Sequence, residues 1–275
     1  MNAGAVVAAA LPLALLLGCA ERAAVERVSV VHLAWPGRPA SDAMDRDTFG
    51  DARVIARASR LAFTRVTRDA AEPACRELLD GVGTLVFLGE VAIARRMGVA
   101  SPRAWLAFLD AALLAARAHA ELGTRGDPAA VRVLASHDVA LGFPARARAR
   151  LAASADPSTA ATLLRARAEL ACGEVALARA TLDAVDAAQV PPALAARLLL
   201  AERRAREAVE RIRSIAAADA EARLALAEAL LDLDRRAEAQ ALLRELADGV
   251  GEPGARAEEL LAGSLRGDAG HAHGR

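Results

Sequence analysis

Residues 224–243 read Leu224-Ala-Leu-Ala-Glu-Ala-Leu-Leu-Asp-Leu-Asp-Arg-Arg-Ala-Glu-Ala-Gln-Ala-Leu-Leu243, and this segment decides the fold of the second half of the chain. Alanine and leucine recur at helical spacing on both sides of a short polar break. Because alanine is small, two helices that present it to each other can approach closely. The segment therefore predicts a helical hairpin, that is, one helix, a tight turn and a second helix.

The hairpin pattern recurs in the preceding hundred residues. Leu151, Leu182, Ile212 and Leu242 are spaced by 31, 30 and 30 residues, and each ends an alanine-rich amphipathic stretch. Helix breakers follow these stretches at Asp156-Pro157, Pro191-Pro192, Ala218-Asp219 and Gly249 to Pro253. Residues 128–262 therefore predict about four hairpins stacked as an all-α solenoid. An irregular helical bundle is the alternative.

The aligned copies of the pattern begin at Gly142, Gly173 and Leu233. Together with residues 224–243 they resemble the tetratricopeptide repeat (TPR), a family of helical hairpins that usually repeats every 34 residues. The shorter period and the missing aromatic residues make this a TPR-like pattern. The resemblance implies a concave groove, lined here by Ala, Leu and Arg, that binds a peptide or a partner helix.

Strand and helix signals alternate in the first half of the chain. Three β-branched runs have the length of strands, namely Val28–Ala34, Leu61–Val66 and Thr84–Leu88. Helical patterns lie between these runs at Ser41–Ser59 and at Pro73 to Asp80, and Asp47 and Thr48 are candidate caps of a new turn in the first. A further helical pattern starts at Pro102 and places four large apolar residues on one face, namely Trp105, Phe108, Leu109 and Leu113. The alternation predicts an α/β layer fold.

Trp35 follows the first of these strands, and Thr48-Phe49-Gly50-Asp51 and the run from Gly83 to Leu109 come after it in order. This order of residues resembles the thioredoxin fold over residues 28–120, most closely the periplasmic C-terminal domains of transmembrane thiol-disulfide reductases. The resemblance implies a central mixed sheet flanked by helices. It also puts Arg38 and Ser41 where that family has its two redox cysteines.

The same resemblance implies that the chemistry of the family has been lost. Arg38 and Ser41 carry no sulfur, Gly83 replaces the family's cis-proline, and Val30 stands in place of its buried acid. Thiol exchange needs an attacking thiolate and a resolving thiol. We therefore expect a thioredoxin-like domain without redox activity.

The N-terminus resembles a bacterial lipoprotein signal. An apolar run from Ala5 to Leu17 has the length of a signal-peptide core and is too short to cross a bilayer. It ends in Leu16-Leu17-Gly18-Cys19, which is similar to the lipobox. We expect a signal peptide over residues 1–18, lipidation of Cys19 and a linker over residues 19–27. By the same resemblance Ala20 favours the outer membrane facing the periplasm; a plain secretory signal is the alternative.

The other thiols and the histidines carry weaker signals. Cys75 and Cys172 lie in apolar helical patterns and are expected to be small buried side chains, while a disulfide between them or a peroxide-sensing thiol is the alternative. His32, His119 and His137 have no second ligand at metal spacing, so we expect core or capping roles and no metal site. The polar residues 263–275 are expected to be disordered.

The composition excludes one class of partner. Lys+Arg and Asp+Glu both number 35, which gives a net charge of +0. Such a balance provides no long-range attraction for nucleic acid, so we expect none to bind. Arginine runs such as Arg146, Arg148 and Arg150 are interpreted as solvated helix faces.

A thioredoxin-like domain without its dithiol, followed by TPR-like repeats, resembles the bacterial chaperedoxins, which are holdase-type chaperones. The resemblance implies a non-catalytic envelope protein that needs no cofactor and binds protein clients, or one fixed partner as an assembly scaffold. The helical repeats would make these contacts and the lipid would anchor the chain to the membrane. The alternative is a periplasmic thiol-disulfide oxidoreductase or a peroxide-responsive protein that uses Cys75 alone.

Overall fold

A computed structural model describes residues 28–79, 81–216, 219–247, 254, 256–258 and 260–261. The chain divides into two compact units. The first unit holds the described residues up to Val99 together with Leu109–Arg125, and the second holds Ala100–Phe108 and the described residues from Gly126 onward. The predicted signal, Cys19 and the tail 263–275 lie outside the described residues.

The first unit is built around a four-stranded sheet. Its strands are β1 (Val28–Ala34), β2 (Ala62–Thr67), β3 (Gly83–Leu88) and β4 (Val91–Met97). Helices α1 (Pro39–Asp47) and α2 (Ala52–Ala58) lie between β1 and β2 in the chain, and α3 (Pro73–Leu78) lies between β2 and β3. Helix α4 (Pro102–Leu122) follows β4. A short 3-10 turn, Arg68–Ala70, comes after β2.

The sheet is mixed, with the strand order β2-β1-β3-β4. Strand β1 pairs parallel with β2 and antiparallel with β3, and β3 pairs antiparallel with β4. Strand β1 lies between β2 and β3, and Val30 and Leu33, which point to opposite faces of the sheet, are both buried, so both faces of β1 are covered. The α/β prediction for this half of the chain is confirmed at the level of a mixed sheet with helices.

The helical pattern over Ser41–Ser59 is confirmed as two helices, and the break falls beside Asp47 and Thr48, but these two residues do not cap the second helix. Helix α1 ends at Asp47, and the N–H of Thr48 donates to the carbonyl of Met44 at 2.9 Å. The cap of the next helix is Asp51, whose carboxylate accepts the N–H of Arg53 at 2.8 Å. Asp47 and Thr48 therefore close the first helix and do not open the second.

The second unit contains four helical hairpins. The first helices of the pairs are α5 (Pro128–Ala140), α7 (Thr159–Ala171), α9 (Pro192–Ala201) and α11 (Ala220–Asp232). Their partners are α6 (Pro144–Ser154), α8 (Val175–Asp183), α10 (Ala205–Ile212) and α12 (Arg236–Ala247). No helix in the described part of the chain is long and apolar enough to cross a bilayer.

All four hairpins turn in the same way. The residue at each turn has a left-handed backbone, with φ of +88° at Gly142, +78° at Gly173, +63° at Arg203 and +57° at Asp234. In each turn the N–H of the following residue donates to the carbonyl four residues before the turn residue, at 2.7 to 2.9 Å. This pattern ends the first helix of every pair in a Schellman-type cap.

The core repeats in step with these turns. Seven positions before each turn residue lies an alanine that is 0% exposed, namely Ala135, Ala166, Ala196 and Ala227. Five positions after each turn residue lies another, namely Ala147, Ala178, Ala208 and Ala239, also 0% exposed. Nine positions after the turn lie Leu151, Leu182, Ile212 and Leu243, all buried. The small side chains explain how the two helices of each pair come close together.

The predicted register of the last hairpin is wrong by one residue. Asp234, and not Leu233, takes the left-handed turn conformation, so the aligned core residue is Leu243. Leu242 is only partly buried. The turn residues are therefore spaced by 31, 30 and 31 residues.

The hairpins pack on one another in sequence order. Each first helix contacts the first helix of the next pair: α5 contacts α7, α7 contacts α9 and α9 contacts α11. The buried clusters follow the same rule, because they join residues of successive hairpins, such as Ala147 with Ala161 and Leu182 with Leu194. The four pairs therefore share a continuous core.

Candidate functional site

The loop after β1 is a tight turn that begins at Trp35. The N–H of Arg38 donates to the carbonyl of Trp35 at 3.1 Å, and Gly37 between them has a φ of +77°. Proline at the second position and a left-handed glycine at the third are typical of a type II turn. The sequence Trp-Pro-Gly-Arg therefore forms this turn from local chemistry alone.

The turn brings three of the predicted site residues together. The buried hydroxyl of Ser41 accepts the backbone N–H of Trp35 at 2.9 Å. The guanidinium of the exposed Arg38 lies 4.5 Å from the centre of the Trp35 ring. Ser41 thus ties the turn to the first turn of α1, and Arg38 lies against the indole. This arrangement holds the loop in place and contains no group that exchanges sulfur bonds.

Gly83, the fourth predicted site residue, begins β3 and pairs with Leu33 of β1 and Met97 of β4. A Cβ at this position would lie 2.5 Å from the carbonyl oxygen of Arg96 and 2.8 Å from a methyl group of Leu79. The backbones of β3 and β4 therefore approach too closely here for any side chain. The glycine is required by the packing of this sheet.

We expect Gly83→Ala to lower the free energy of unfolding by about 2 kcal/mol, because the added methyl group overpacks a contact with backbone. The matched control is Gly126→Ala, where a Cβ would meet nothing within 4 Å. Urea denaturation gives the free energy, and hydrogen exchange of β3 and β4 locates the loss. Equal stability of the two variants would contradict the close approach at Gly83.

A buried histidine lies beside Gly83 and was not expected to belong to this site. His32 is 0% exposed, and a hydrogen bond of 3.1 Å joins its Nδ1 to Oγ1 of Thr84, its cross-strand partner. The ring of Phe49, the residue after Thr48, lies 4.6 Å away. The Nε2 atom has no hydrogen-bond partner in the described part of the chain. The core role predicted for His32 is confirmed.

Burial determines the charge of this histidine. It lowers the pKa of His32 from 6.5 to about 4, and the positive charge of Arg65 on the neighbouring strand β2 acts in the same direction. A hydrogen bond to the backbone of Gly83 opposes the shift. The imidazole is therefore neutral at neutral pH.

The surroundings of Cys75 do not activate its thiol. It is 8% exposed and packs with Leu33, Leu79 and Leu85. Since side chains alternate along a strand, this cluster lies on the opposite face of the sheet from His32. Burial raises the pKa of the Cys75 thiol, and the nearby Glu72 raises it further. A raised pKa leaves little of the thiolate that thiol chemistry needs.

Cys172 is half-buried at the end of α7, and burial also raises the pKa of its thiol. Cys75 and Cys172 are both free. The disulfide considered between them is therefore not formed.

The first helices of the hairpins share one face. Arg167 on α7 pairs with Glu221 on α11 at 2.8 Å, although a whole hairpin separates these helices in sequence. The two side chains therefore meet on one side of the first helices, which is called the inner face below. Arg197 lies six residues before its turn, as Arg167 does, so it takes the same place on α9. The inner face therefore carries half-buried arginines.

A buried acid organises the first hairpin. Asp138 on α5 is 0% exposed and binds two arginines of α6, Arg146 at 2.6 Å and Arg150 at 2.8 Å. Arg148 pairs with Glu174 of the next hairpin. The interpretation of Arg146, Arg148 and Arg150 as a solvated helix face is therefore wrong, because Arg146 and Arg150 pair within the first hairpin and Arg148 joins it to the second.

No protein-family model matches the chain. No curated protein has a significantly similar sequence. Among the described residues, no cluster of His, Cys, Asp and Glu side chains has the arrangement of a metal site.

Proposed function

We propose that this chain is a non-catalytic protein-binding lipoprotein of the bacterial envelope, acting as a holdase-type chaperone or as an assembly scaffold. The observation that carries the proposal is the sequential packing of the first helices α5, α7, α9 and α11, together with the ion pair between Arg167 of α7 and Glu221 of α11 on their inner face. A stacked array of hairpins presents such a face as an extended groove, and grooves of this kind bind peptides or helices.

The recurring alanines support the TPR-like part of the proposal. Each hairpin has one alanine seven residues before the turn and one five residues after it, both 0% exposed, and a buried leucine or isoleucine nine residues after it. Small residues at fixed places in both helices and a large one further on are typical of repeats that stack. An irregular bundle would not require the same residue type at the same place four times.

The thioredoxin-like part of the proposal is supported by topology and by the loop after β1. Order β2-β1-β3-β4 with one parallel and two antiparallel pairs is compatible with that fold. Ser41 and Arg38 stabilise the loop through a hydrogen bond and a ring contact. We therefore propose a domain kept for its shape or for a partner contact and not for electron transfer.

No specific observation favours the alternative in which Cys75 acts as a lone reactive thiol, since that side chain lies in an apolar cluster. The envelope location and the lipid anchor rest on the sequence, through the apolar run that ends at Cys19. The proposal is that the acyl chains hold the protein at the membrane while the repeats bind the partner.

The function can be tested with the soluble chain from Ala20 onward and thermally unfolding citrate synthase as the client. At equimolar ratio we expect suppression of client aggregation, measured by light scattering. Arg167→Glu combined with Arg197→Glu reverses the charge of the inner face and should reduce the suppression by about half or more.

The matched control reverses two arginines outside that face. Arg211 and Arg213, at the end of α10, are exposed, so Arg211→Glu with Arg213→Glu should leave the suppression unchanged. Absence of suppression by the unchanged chain would count against a holdase and favour a dedicated partner. Insulin reduction that disappears in Cys75→Ser would contradict the non-catalytic proposal altogether.

A further inference from the structure

The first unit has an open cavity of about 380 Å³ between the end of α2 and the later part of α4. This volume lies in the range of small-molecule sites. Its lining residues are Arg57, Arg60, Leu61, Asp110, Leu113, Leu114 and Arg117. The inner face of the hairpins has no part in it.

One side of this cavity is aliphatic. Leu61, Leu113 and Leu114 contribute to it, and Leu114 is 58% exposed, the largest exposed fraction among the large apolar side chains of the described residues. The wall contains no aromatic ring. Removing the surface of an exposed leucine from water is favourable. The wall therefore favours a ligand with an alkyl chain that covers these leucines.

The polar groups of the cavity are cationic in sum. Three arginines and one aspartate give a formal charge of +2 (three positive charges less one negative). Asp110 is already bound by Arg57 at 2.5 Å. The guanidinium of the exposed Arg60 has no partner among the described residues. Since a guanidinium only donates hydrogen bonds, a ligand that pairs with Arg60 must offer an acceptor, and a negatively charged acceptor forms the stronger hydrogen bonds.

We propose that this cavity binds an aliphatic carboxylate of the size of a medium-chain fatty acid. The carboxylate takes the hydrogen bonds of Arg60 and the alkyl chain covers Leu113 and Leu114. A folded protein partner does not fit the site, because such interfaces cover about 800 Å² on each side. The proposal does not depend on client binding by the helical hairpins.

The test uses the chain from Ala20 onward and decanoate, with binding measured by isothermal titration calorimetry. We expect saturable binding of one decanoate per chain. Arg60→Glu should weaken it by about tenfold or more, because the carboxylate then meets a like charge, and Leu114→Asp should weaken it by a similar factor. Decyltrimethylammonium, with the same alkyl length and the opposite charge, should bind at least about tenfold more weakly than decanoate.

The control variants are Arg76→Glu and Val91→Asp, since both residues are exposed in the same unit and neither lines the cavity. They should bind decanoate like the unchanged chain. The proposal is overturned if decanoate fails to saturate below about 1 mM, if the cavity variants bind it normally, or if the ammonium compound binds equally well. Tighter binding of a tripeptide ending in leucine with a free carboxylate would overturn it in favour of a protein C-terminus.

Discussion

Asp138→Asn is expected to lower the free energy of unfolding of the helical hairpins by about 3 kcal/mol. The carboxylate is fully buried and binds Arg146 and Arg150, whose side chains are 26% and 28% exposed. Asparagine keeps the size of the side chain but removes its charge, and its amide group would point donors at a guanidinium. Two largely buried cations then lose the charge of Asp138, which is the costly way to break a buried ion pair.

The second hairpin offers a matched control for this change. Glu169 lies four residues before its turn, as Asp138 does, and is only 2% exposed, yet its Oε2 atom has no hydrogen-bond partner among the described residues. Glu169→Gln removes a poorly satisfied buried charge, so we expect a change within about 1 kcal/mol. Urea denaturation and hydrogen exchange of α5 to α8 measure both variants. Similar losses at the two positions would show that the arginines of Asp138 contribute little.

Lowering the pH from 7.5 to 4 is expected to remove about 3 kcal/mol of stability from the sheet through His32 alone. In the unfolded chain the imidazole binds a proton near its ordinary pKa of 6.5, whereas in the folded chain the pKa is lowered to about 4. Between these two values the unfolded state binds more protons than the folded state. The contribution is therefore fully present above pH 6.5 and is lost as the pH falls toward 4.

The variant His32→Gln isolates this effect, because glutamine retains a hydrogen-bonding group but does not titrate in this range. Urea denaturation of both proteins between pH 7.5 and 4 should show a steep loss for the unchanged chain and a shallower one for the variant. Asp51 does not affect the comparison, because both proteins contain it. Hydrogen bonds and charge from Arg53 lower its pKa from 3.8 to about 2, so its contribution is lost mainly between these values, below the window. Parallel pH profiles for the two proteins would mean that His32 is not the titrating group.

Local sequence signals were enough for three of the four strands, and β4 was not among the predicted runs. The apolar run at Val28–Ala34 predicted β1 with its observed bounds, because a strand buried on both faces leaves a continuous β-branched pattern. The break between α1 and α2 was expected near Asp47 and Thr48, but its exact place was not predicted, because it depends on tertiary contacts. Phe49 at this break lies against His32 and also against Phe63, with 5.5 Å between the two phenylalanine rings, and both contacts come from strands that are remote in sequence.

The number of hairpins was also predictable, but the register of the last one was not. Leu242 and Leu243 are adjacent and both apolar, so a shift by one residue leaves the hydrophobic pattern almost unchanged. The turn residue decides between them, and at Asp234 it is not the glycine that would have marked the position.

The residues that connect the site to its surroundings were the hardest to find. His32 looks like any lone histidine in a strand until Thr84 and Phe49 are placed around it. The pairing of Asp138 could have been predicted from the sequence. Arg146 and Arg150 follow it after 8 and 12 residues and share one face of the next helix. Arginine is so frequent in this chain that these two residues did not stand out as partners of a buried acid.

The ion pair between Arg167 and Glu221 links the second hairpin to the fourth, and both of its side chains are 37% exposed. Dissolved ions can therefore screen it, with a Debye length of about 8 Å at physiological ionic strength. We expect α7 and α11 to be held together more firmly in dilute buffer than in concentrated salt. If a segment binds along this face as proposed, the width available to it then varies with the ionic strength of the surrounding medium.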